Sequence, residues 1–200
     1  MAQEFEYEAK TLLSSSDFSK LLHFLHMHNE VAVTQHNHYF ETPDFLLRSA
    51  GSALRIREKN GASVLTLKRP TKDGGLLETH QSLSEKEKEL ALSKDSLPSG
   101  EILNQLQTIN VVMSHVEHLG TLTTERIEIP YLNGSICLDK SSYLGEIDYE
   151  VEYEGTSIEH ANCTLAKLLE EANIPQVETP NKVARFFIKK TANANKEKPS

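Results

Sequence analysis

The sequence predicts an α+β fold: a closed antiparallel β-barrel with helices packed on its outside. Three observations predict it. Apolar and charged residues alternate with a period of two in one segment after another, the pattern of strands with one apolar and one polar face. Asn60-Gly61 and Asn133-Gly134 are two-residue hairpin signals, because both positions tolerate positive φ, so consecutive strands are antiparallel neighbours. Helical segments interrupt the strands at about four places, and their apolar stripes need the apolar strand faces as partners. The charged faces are then left to line a lumen, and closing the sheet removes its unpaired edges.

In chain order, Phe5, Tyr7 and Ala9 alternate with Glu4, Glu6, Glu8 and Lys10 in a first strand. Ser14 to His28 follows as a helix, with Phe18, Leu21, Leu22 and Leu25 on one face behind a Ser-rich N-cap. A strand from roughly Val31 to Glu41 is broken by Thr42-Pro43-Asp44. Leu54 and Ile56 alternate with Arg55 and Arg57, and Leu65 and Leu67 with Thr66 and Lys68, forming two arms around Asn60-Gly61. Gly74-Gly75 opens a strand carrying Glu78, and the mixed-sign run from Ser84 to Glu89 is a capped, solvated helix start. Ile127 and Ile129 alternate with Arg126 and Glu128, Ile136 and Leu138 with Cys137 and Asp139, and Val151 and Tyr153 with Glu150, Glu152 and Glu154. Thr156-Ser157-Ile158-Glu159 is a capping box opening a helix to about Asn173, and Asn181 to Arg185 lie on a last helix.

The 200 residues contain no Pro/Gly/Ser-rich linker, which predicts one domain over residues 4–190 and a frayed, disordered tail from Thr191 to Ser200. No apolar run has bilayer-spanning length and the first residues show no secretory pattern, which predicts a cytoplasmic protein without membrane association. Cys137 and Cys163 supply neither a disulfide framework nor a zinc site. His36 and His38 share a strand face, but no third ligand stands at a motif-like spacing, so ordinary polar packing is expected of them. A formal net charge of −8 argues against sequence-independent nucleic-acid binding. Any anion site must therefore be a local concentration of the 21 Lys and Arg residues.

A charged strand face is ordinarily a solvated one. Here like charges repeat at i and i+2, as Glu6/Glu8, Arg55/Arg57 and Glu150/Glu152, on the same face of one strand. Such repulsion is better tolerated where an opposite charge or an ion lies across from it. Acids from some strands and bases from others would then suit an anion and a cation bound together.

Glu6-Tyr7-Glu8-Ala9-Lys10 is a Glu-x-Glu-x-Lys pattern, followed by Tyr39-Phe40-Glu41-Thr42-Pro43-Asp44, Leu54-Arg55-Ile56-Arg57 and Leu65-Thr66-Leu67-Lys68. Glu78, Arg126, Asp139, Glu150-x-Glu152 and Asn181-Lys182 continue the series. In this order the residues resemble the CYTH family, or triphosphate tunnel metalloenzymes, which includes thiamine triphosphatases, inorganic triphosphatases and class IV adenylate cyclases. The resemblance implies an eight-stranded tunnel holding a triphosphate-bearing small molecule together with Mg²⁺ or Mn²⁺. By it Glu6, Glu8 and Glu152 are metal ligands, with Glu150 and Asp139 beside them. Lys10, Arg55, Arg57, Lys68, Arg126 and Lys182 are the phosphate clamp, and Glu78 and Lys10 are the candidate catalytic groups. The residue types suit these roles, since hard divalent cations prefer carboxylate oxygens and guanidinium groups grip phosphate bidentately.

Two positions depart from relatives: Thr124 stands where some carry a second basic residue, and no Tyr follows Lys182 as it does in thiamine triphosphatases. The expected activity is metal-dependent hydrolysis of short triphosphates, inorganic triphosphate among them. ATP cyclisation and non-catalytic binding of polyphosphate or nucleotide are the alternatives, and a homodimer is left open beside a monomer.

Overall fold

The computed structural model describes residues 2–27, 29–94, 96–111 and 115–196. Among the described residues there are eight strands: β1 (Ala2–Leu13), β2 (Val33–Glu41), β3 (Ala53–Lys59), β4 (Ala62–Pro70), β5 (Leu76–Leu83), β6 (Glu117–Tyr131), β7 (Gly134–Tyr143) and β8 (Glu146–Gly155). They close into one barrel in the order β1-β5-β4-β3-β2-β6-β7-β8, every adjacent pair antiparallel. The expected fold class is the observed one. β1 is the seam, since its first half pairs with β5 and its second half with β8.

Three tight hairpins set the register. Asn60 (φ 53°) and Gly61 (φ 76°) turn β3 into β4 as the sequence predicts. The next turn is displaced by one residue: Leu132 (φ 42°) and Asn133 (φ 61°) are its central pair, and Gly134 begins β7. That glycine serves close approach, because a Cβ there would lie 2.1 Å from the Glu154 carbonyl oxygen. Leu144 (φ 46°) and Gly145 (φ 82°) form the third turn, which no Asn-Gly signal announces.

Among the described residues there are six helices rather than about four: α1 (Ser15–Phe24), α2 (Leu46–Ser49), α3 (Glu85–Lys94), α4 (Glu101–Thr108), α5 (Ile158–Glu171) and α6 (Lys182–Lys196). The two unforeseen ones, α2 and α4, are too short to show a repeating stripe. α1 stops at Phe24, and His28, at the expected helix end, lies outside the described residues. The cap of α5 is Ser157, whose hydroxyl accepts from the His160 amide at 3.1 Å, one residue later than the capping box implies. α6 runs on to Lys196, so residues 191–196, expected as frayed tail, extend a helix; residues 197–200 lie outside the described residues.

α1 and α5 cover the outer face of β1, β7 and β8 through Leu21, Leu138, Val151, Leu165 and Leu168. α2, α3 and α4 cover β3 and β4 through Leu47, Leu54, Leu65, Ala91, Ile102 and Leu106. α6 departs from the expected outside position, because it closes one end of the barrel. Phe186 is buried with Tyr39, Leu122 and Tyr143, and Val183 packs against the same group. Gly120 (φ 143°) makes room, since a Cβ there would sit 2.7 Å from the Phe186 ring.

The Tyr-Phe-Glu-Thr-Pro segment has a structural role of its own. Glu41 is buried, and its carboxylate accepts from the amides of Thr42, Leu47 and Arg48, each at 2.9 Å, capping α2 and fixing the entry to β3. Glu41→Ala leaves those donors without partners and is expected to cost about 2–4 kcal/mol in a denaturant titration. A loss under about 0.5 kcal/mol would contradict this capping role.

Candidate functional site

Inward positions follow from the pleat. Glu4, Glu6, Glu8 and Lys10 of β1, Gln35 and Tyr39 of β2, Arg55, Arg57 and Lys59 of β3, and Thr66 and Lys68 of β4 line a cavity of about 1050 Å³. Glu78 and His80 of β5, Arg126 and Glu128 of β6, and Glu152 and Glu154 of β8 complete the wall, with Lys182 and Val183 of α6 at the plugged end. In a ring of eight strands β3 stands four places from β8, directly across the lumen. A wall of guanidinium groups therefore faces a wall of carboxylates.

The acidic side is densely cross-linked near the plug. Asn181 caps α6 by accepting from the Ala184 amide at 2.8 Å, which points the next residue, Lys182, into the barrel. The Lys182 ammonium lies 2.8 Å from Asp139, 3.2 Å from Glu150 and 2.6 Å from Glu152. Arg126 grips Asp139 bidentately, both bonds 2.7 Å, and also reaches Glu152. Arg185, one helical turn beyond Lys182, bonds Glu150 and, at 2.8 Å, Asp148. Burial pushes the Glu150 carboxyl up to about 7, with Glu152 adding repulsion against the pull of Lys182 and Arg185. Burial works the same way on Glu152, but Lys182, Arg126 and Lys10 outweigh it and hold that carboxyl well below the usual range.

Towards the open mouth the balance tips to excess negative charge. Two like-charged pairs stand directly opposite one another in the ladder, Glu8 with Glu154 and Glu4 with Glu78, an arrangement that is destabilising unless a cation intervenes. Lys10 bonds Glu8, and Lys68 bonds Glu6 at 2.5 Å and also Glu78. Burial opposes the Lys10 charge, but Glu8, Glu152 and Glu150 prevail and raise its pKa, so Lys10 is an ammonium. Burial raises Glu6; it acts the same way on Glu78, where Lys68 and Arg55 outweigh it and lower the pKa. Glu154 is 3.7 Å from Arg126, and burial, then the nearness of Glu6, push its carboxyl up to about 7. Glu4, Glu78 and His80 are the group of His and acidic residues whose ligand atoms lie within 4.8 Å of one another among the described residues.

The basic wall is different in kind. Lys10, Lys68, Arg126 and Lys182 all have carboxylate partners, whereas among the described residues no ion pair involves Arg55 or Arg57. The Arg57 Nε–H donates to the Asn37 Oδ1 at 2.9 Å, and the buried Arg55 Nε finds no hydrogen-bond partner among the described residues. Burial, Arg55 and Arg126 together depress the Arg57 pKa to about 10. Two half-buried cations side by side, neither in an ion pair among the described residues, offer an anion a site.

Of the residues predicted from sequence, Glu6, Glu8, Lys10, Arg55, Arg57, Lys68, Glu78, Arg126, Glu152 and Lys182 line the cavity, whereas Asp139 and Glu150 are buried beside it, bonded to Lys182 and, respectively, to Arg126 and Arg185; several partners were not anticipated. Glu4 and Glu154 extend the i, i+2 patterns of Glu6/Glu8 and Glu150/Glu152 by one step, a signal present in the sequence. Arg185 lies three residues after Lys182, on the same helix face. Gln35 and Asn37 follow from the period of two counted back from Tyr39. His36 and His38 point out of the barrel; His38 bonds Glu58 at 2.7 Å and Thr121 at 2.8 Å, and His36 bonds Thr123 at 3.0 Å, as polar packing requires. Cys137 is buried, with its thiol pushed far up by burial, and Cys163 is exposed; both are free. Among the described residues no helix is long and apolar enough to cross a membrane.

The CYTH domain profile matches residues 4–187. The Bacillus subtilis (strain 168) protein named "Putative triphosphatase YjbK" is 41% identical over 190 residues, covering 95% of this chain and 98% of its own. A Bacillus halodurans crystal structure described as a "putative adenylate cyclase" superposes with a TM-score of 0.88 at 49% identity, over 94% of this chain and 100% of that one. A Hippeastrum structure, described as a "putative adenylyl cyclase" with a dominant triphosphatase activity, superposes with a TM-score of 0.75 at 27% identity, covering 92% of this chain and 95% of that one.

Proposed function

This chain belongs to the CYTH domain family, and from that premise we propose that it hydrolyses short triphosphates, inorganic triphosphate foremost, with a divalent cation. The observation that carries this is the Arg55/Arg57 pair: two half-buried guanidinium groups that make no ion pair among the described residues, in a chain of net charge −8, facing an acidic wall across the lumen. Phosphate oxygens supply the charge that pair lacks, bidentately. The names of the relatives support the same direction, since one is called a triphosphatase and another is described by a dominant triphosphatase activity. Tyr39 is the one Phe, Tyr or Trp side chain lining the lumen among the described residues, and it is buried and packs on Phe186 at a centroid distance of 6.1 Å, so no such ring stands free to stack on adenine. This favours inorganic triphosphate over a nucleotide.

The donor set fits a hard divalent cation. Asp139, Glu150 and Glu152 converge on the Lys182 ammonium, which takes a position suited to a cation among oxygens, and the like-charged Glu8 and Glu154 stand opposite one another in the β1–β8 ladder. Glu6, Glu8 and Glu152 would hold Mg²⁺ or Mn²⁺, with Asp139, Glu150 and Glu154 around them. When bound, such an ion supplies positive charge to the phosphate oxygens. Lys10, held protonated by its acidic neighbours, contributes charge at the developing anion and is not a base. Glu78, held ionised by Lys68 and Arg55, orients Lys68 towards the phosphates. Lys68, Arg126 and Lys182 complete the clamp.

The test is phosphate release from inorganic triphosphate, ATP and thiamine triphosphate, with and without Mg²⁺ or Mn²⁺, beside Glu8→Gln. Metal-dependent release from inorganic triphosphate, reduced at least about 10²-fold in the variant, is expected. Tight binding without metal-dependent turnover would identify a binder, and cyclic AMP with pyrophosphate a cyclase.

Glu154 gives a separate check by pH. Its folded pKa of about 7 exceeds an unfolded value near 4.3, so the folded state holds the extra proton between them. The Glu154 contribution to stability therefore falls as pH rises through that window. Glu154→Gln is expected to change Tm little near pH 4 and to raise it above about pH 7 in metal-free buffer. A difference in Tm that does not vary with pH would contradict the crowding of Glu154.

A further inference from the structure

We propose that Glu4, Glu78 and His80 form a second metal site, which takes a borderline transition-metal ion of the Zn²⁺ class and is separate from the hard-cation site of Glu6, Glu8 and Glu152. The inference goes beyond the hydrolase function proposed above and does not depend on it. All three side chains line the lumen, where β5 joins the first half of β1. Glu4 stands opposite Glu78 in that ladder and His80 is the next inward residue of β5, diagonal to Glu4.

The separations suit ligands gathered about one ion. The His80 Nε2 lies 2.9 Å from the Glu4 Oε1 and 3.5 Å from the Glu78 Oε2, and ligand atoms of all three lie within 4.8 Å of one another. Atoms that each stand about 2.0–2.2 Å from a tetrahedral or octahedral ion are about 2.8–3.6 Å apart. A proton on Nε2 does less, because one N–H serves one carboxylate and leaves Glu4 and Glu78 as like charges face to face. Glu78 is buried and fixed, whereas Glu4 is exposed and can close on the ion.

The imidazole is already aimed. Thr66, opposite His80 on β4, places its hydroxyl 3.0 Å from the His80 Nδ1. With Nδ1–H donating to that hydroxyl, the Nε2 lone pair faces the carboxylates, which is how outer groups orient metal-binding histidines. Lys68 divides the two sites. Its ammonium bonds Glu6 at 2.5 Å and the other Glu78 oxygen, Oε1, so an ion on the Oε2 leaves that ion pair in place. One imidazole among oxygens tips selection away from Mg²⁺ and Mn²⁺, since imidazole suits Zn²⁺ and affinity for such sites rises from Mn²⁺ to Zn²⁺. Water fills the positions that three protein ligands leave open.

The experiment titrates the wild type, His80→Gln, Thr66→Val and Glu8→Gln with Zn²⁺ alone, by calorimetry and by NMR of the His80 ring. In the wild type the ring signal is expected to shift on binding and to stay shifted in a roughly hundredfold excess of Mg²⁺. His80→Gln should weaken this binding step at least about 10²-fold, with its Zn²⁺-free Tm within about 2 °C of the wild type. Thr66→Val keeps all three ligands and should weaken Zn²⁺ about tenfold. Glu8→Gln should bind at His80 as the wild type does. A wild-type His80 signal indifferent to Zn²⁺ overturns the proposal, as does a His80→Gln chain with unaltered stoichiometry and affinity. A shift that disappears in Glu8→Gln also overturns it, because the ion would then sit among Glu6, Glu8 and Glu152. None of these readouts needs turnover, so an inactive wild type that binds Zn²⁺ at His80 rejects the hydrolase function and supports this site.

Discussion

Arg57→Ala is expected to lower kcat/KM for inorganic triphosphate by roughly 10³-fold while leaving Tm unchanged or higher. Deleting a buried charge normally destabilises, because a partner is stranded. Arg57 has no carboxylate to strand. Burial and the neighbouring Arg55 and Arg126 charges depress its pKa to about 10, so the folded protein is relieved when the guanidinium goes. The one partner left behind is the Asn37 oxygen, 2.9 Å away. Loss of function with gain of stability is the mark of a group retained for its ligand. A fall in Tm of several degrees with turnover intact would show instead that Arg57 holds the barrel together.

Lys182→Met should do the reverse to stability. The ammonium lies within 3.2 Å of Asp139, Glu150 and Glu152, all buried, so its loss leaves converging carboxylates with only Arg126, Arg185 and Lys10 to balance them among the described residues. The expected cost is about 3–5 kcal/mol, a Tm loss of roughly 10 °C in metal-free buffer. Mg²⁺ or Mn²⁺ should recover part of it by mass action, because a cation can take the place the ammonium leaves. Turnover should fall by at least about 10²-fold in either buffer. A variant as stable as the wild type, or one indifferent to divalent cations, would mean that these carboxylates do not form a cation site.

These two residues also mark what was legible in the sequence. Arg57 stands in an alternating strand beside a clear hairpin turn, so its face and direction follow from local pattern alone. Lys182 has no such pattern, and only likeness to a family draws attention to it; its position depends on Asn181 starting α6 at the barrel end and on Phe186 seating the helix there. The plug itself was hidden because an apolar helix stripe looks the same whether it packs on a barrel or into one. Glu154 was visible as an acid in a strand, but its crowding arises from burial and then from Glu6, with Glu8 opposite it, on the most distant strand in sequence, a pairing fixed only by closure. The displaced turn at Leu132-Asn133 shows the limit of dipeptide signals, since Gly134 answers to the Glu154 carbonyl and the Tyr153 side chain and not to the turn.

The division of β1 between β5 and β8 has a consequence for how the chain is made. β1 finds half its partners only when Tyr149–Gly155, far later in the chain, have been synthesised. Until then β1 and its neighbours present open ladder edges, and the contacts that close the ring span more than two thirds of the chain. Such long-range closure is slow and exposes nascent chains to association. Acquisition of the carboxylate cluster must be a late event, because Glu8 and Glu152 belong to the two strands that meet last.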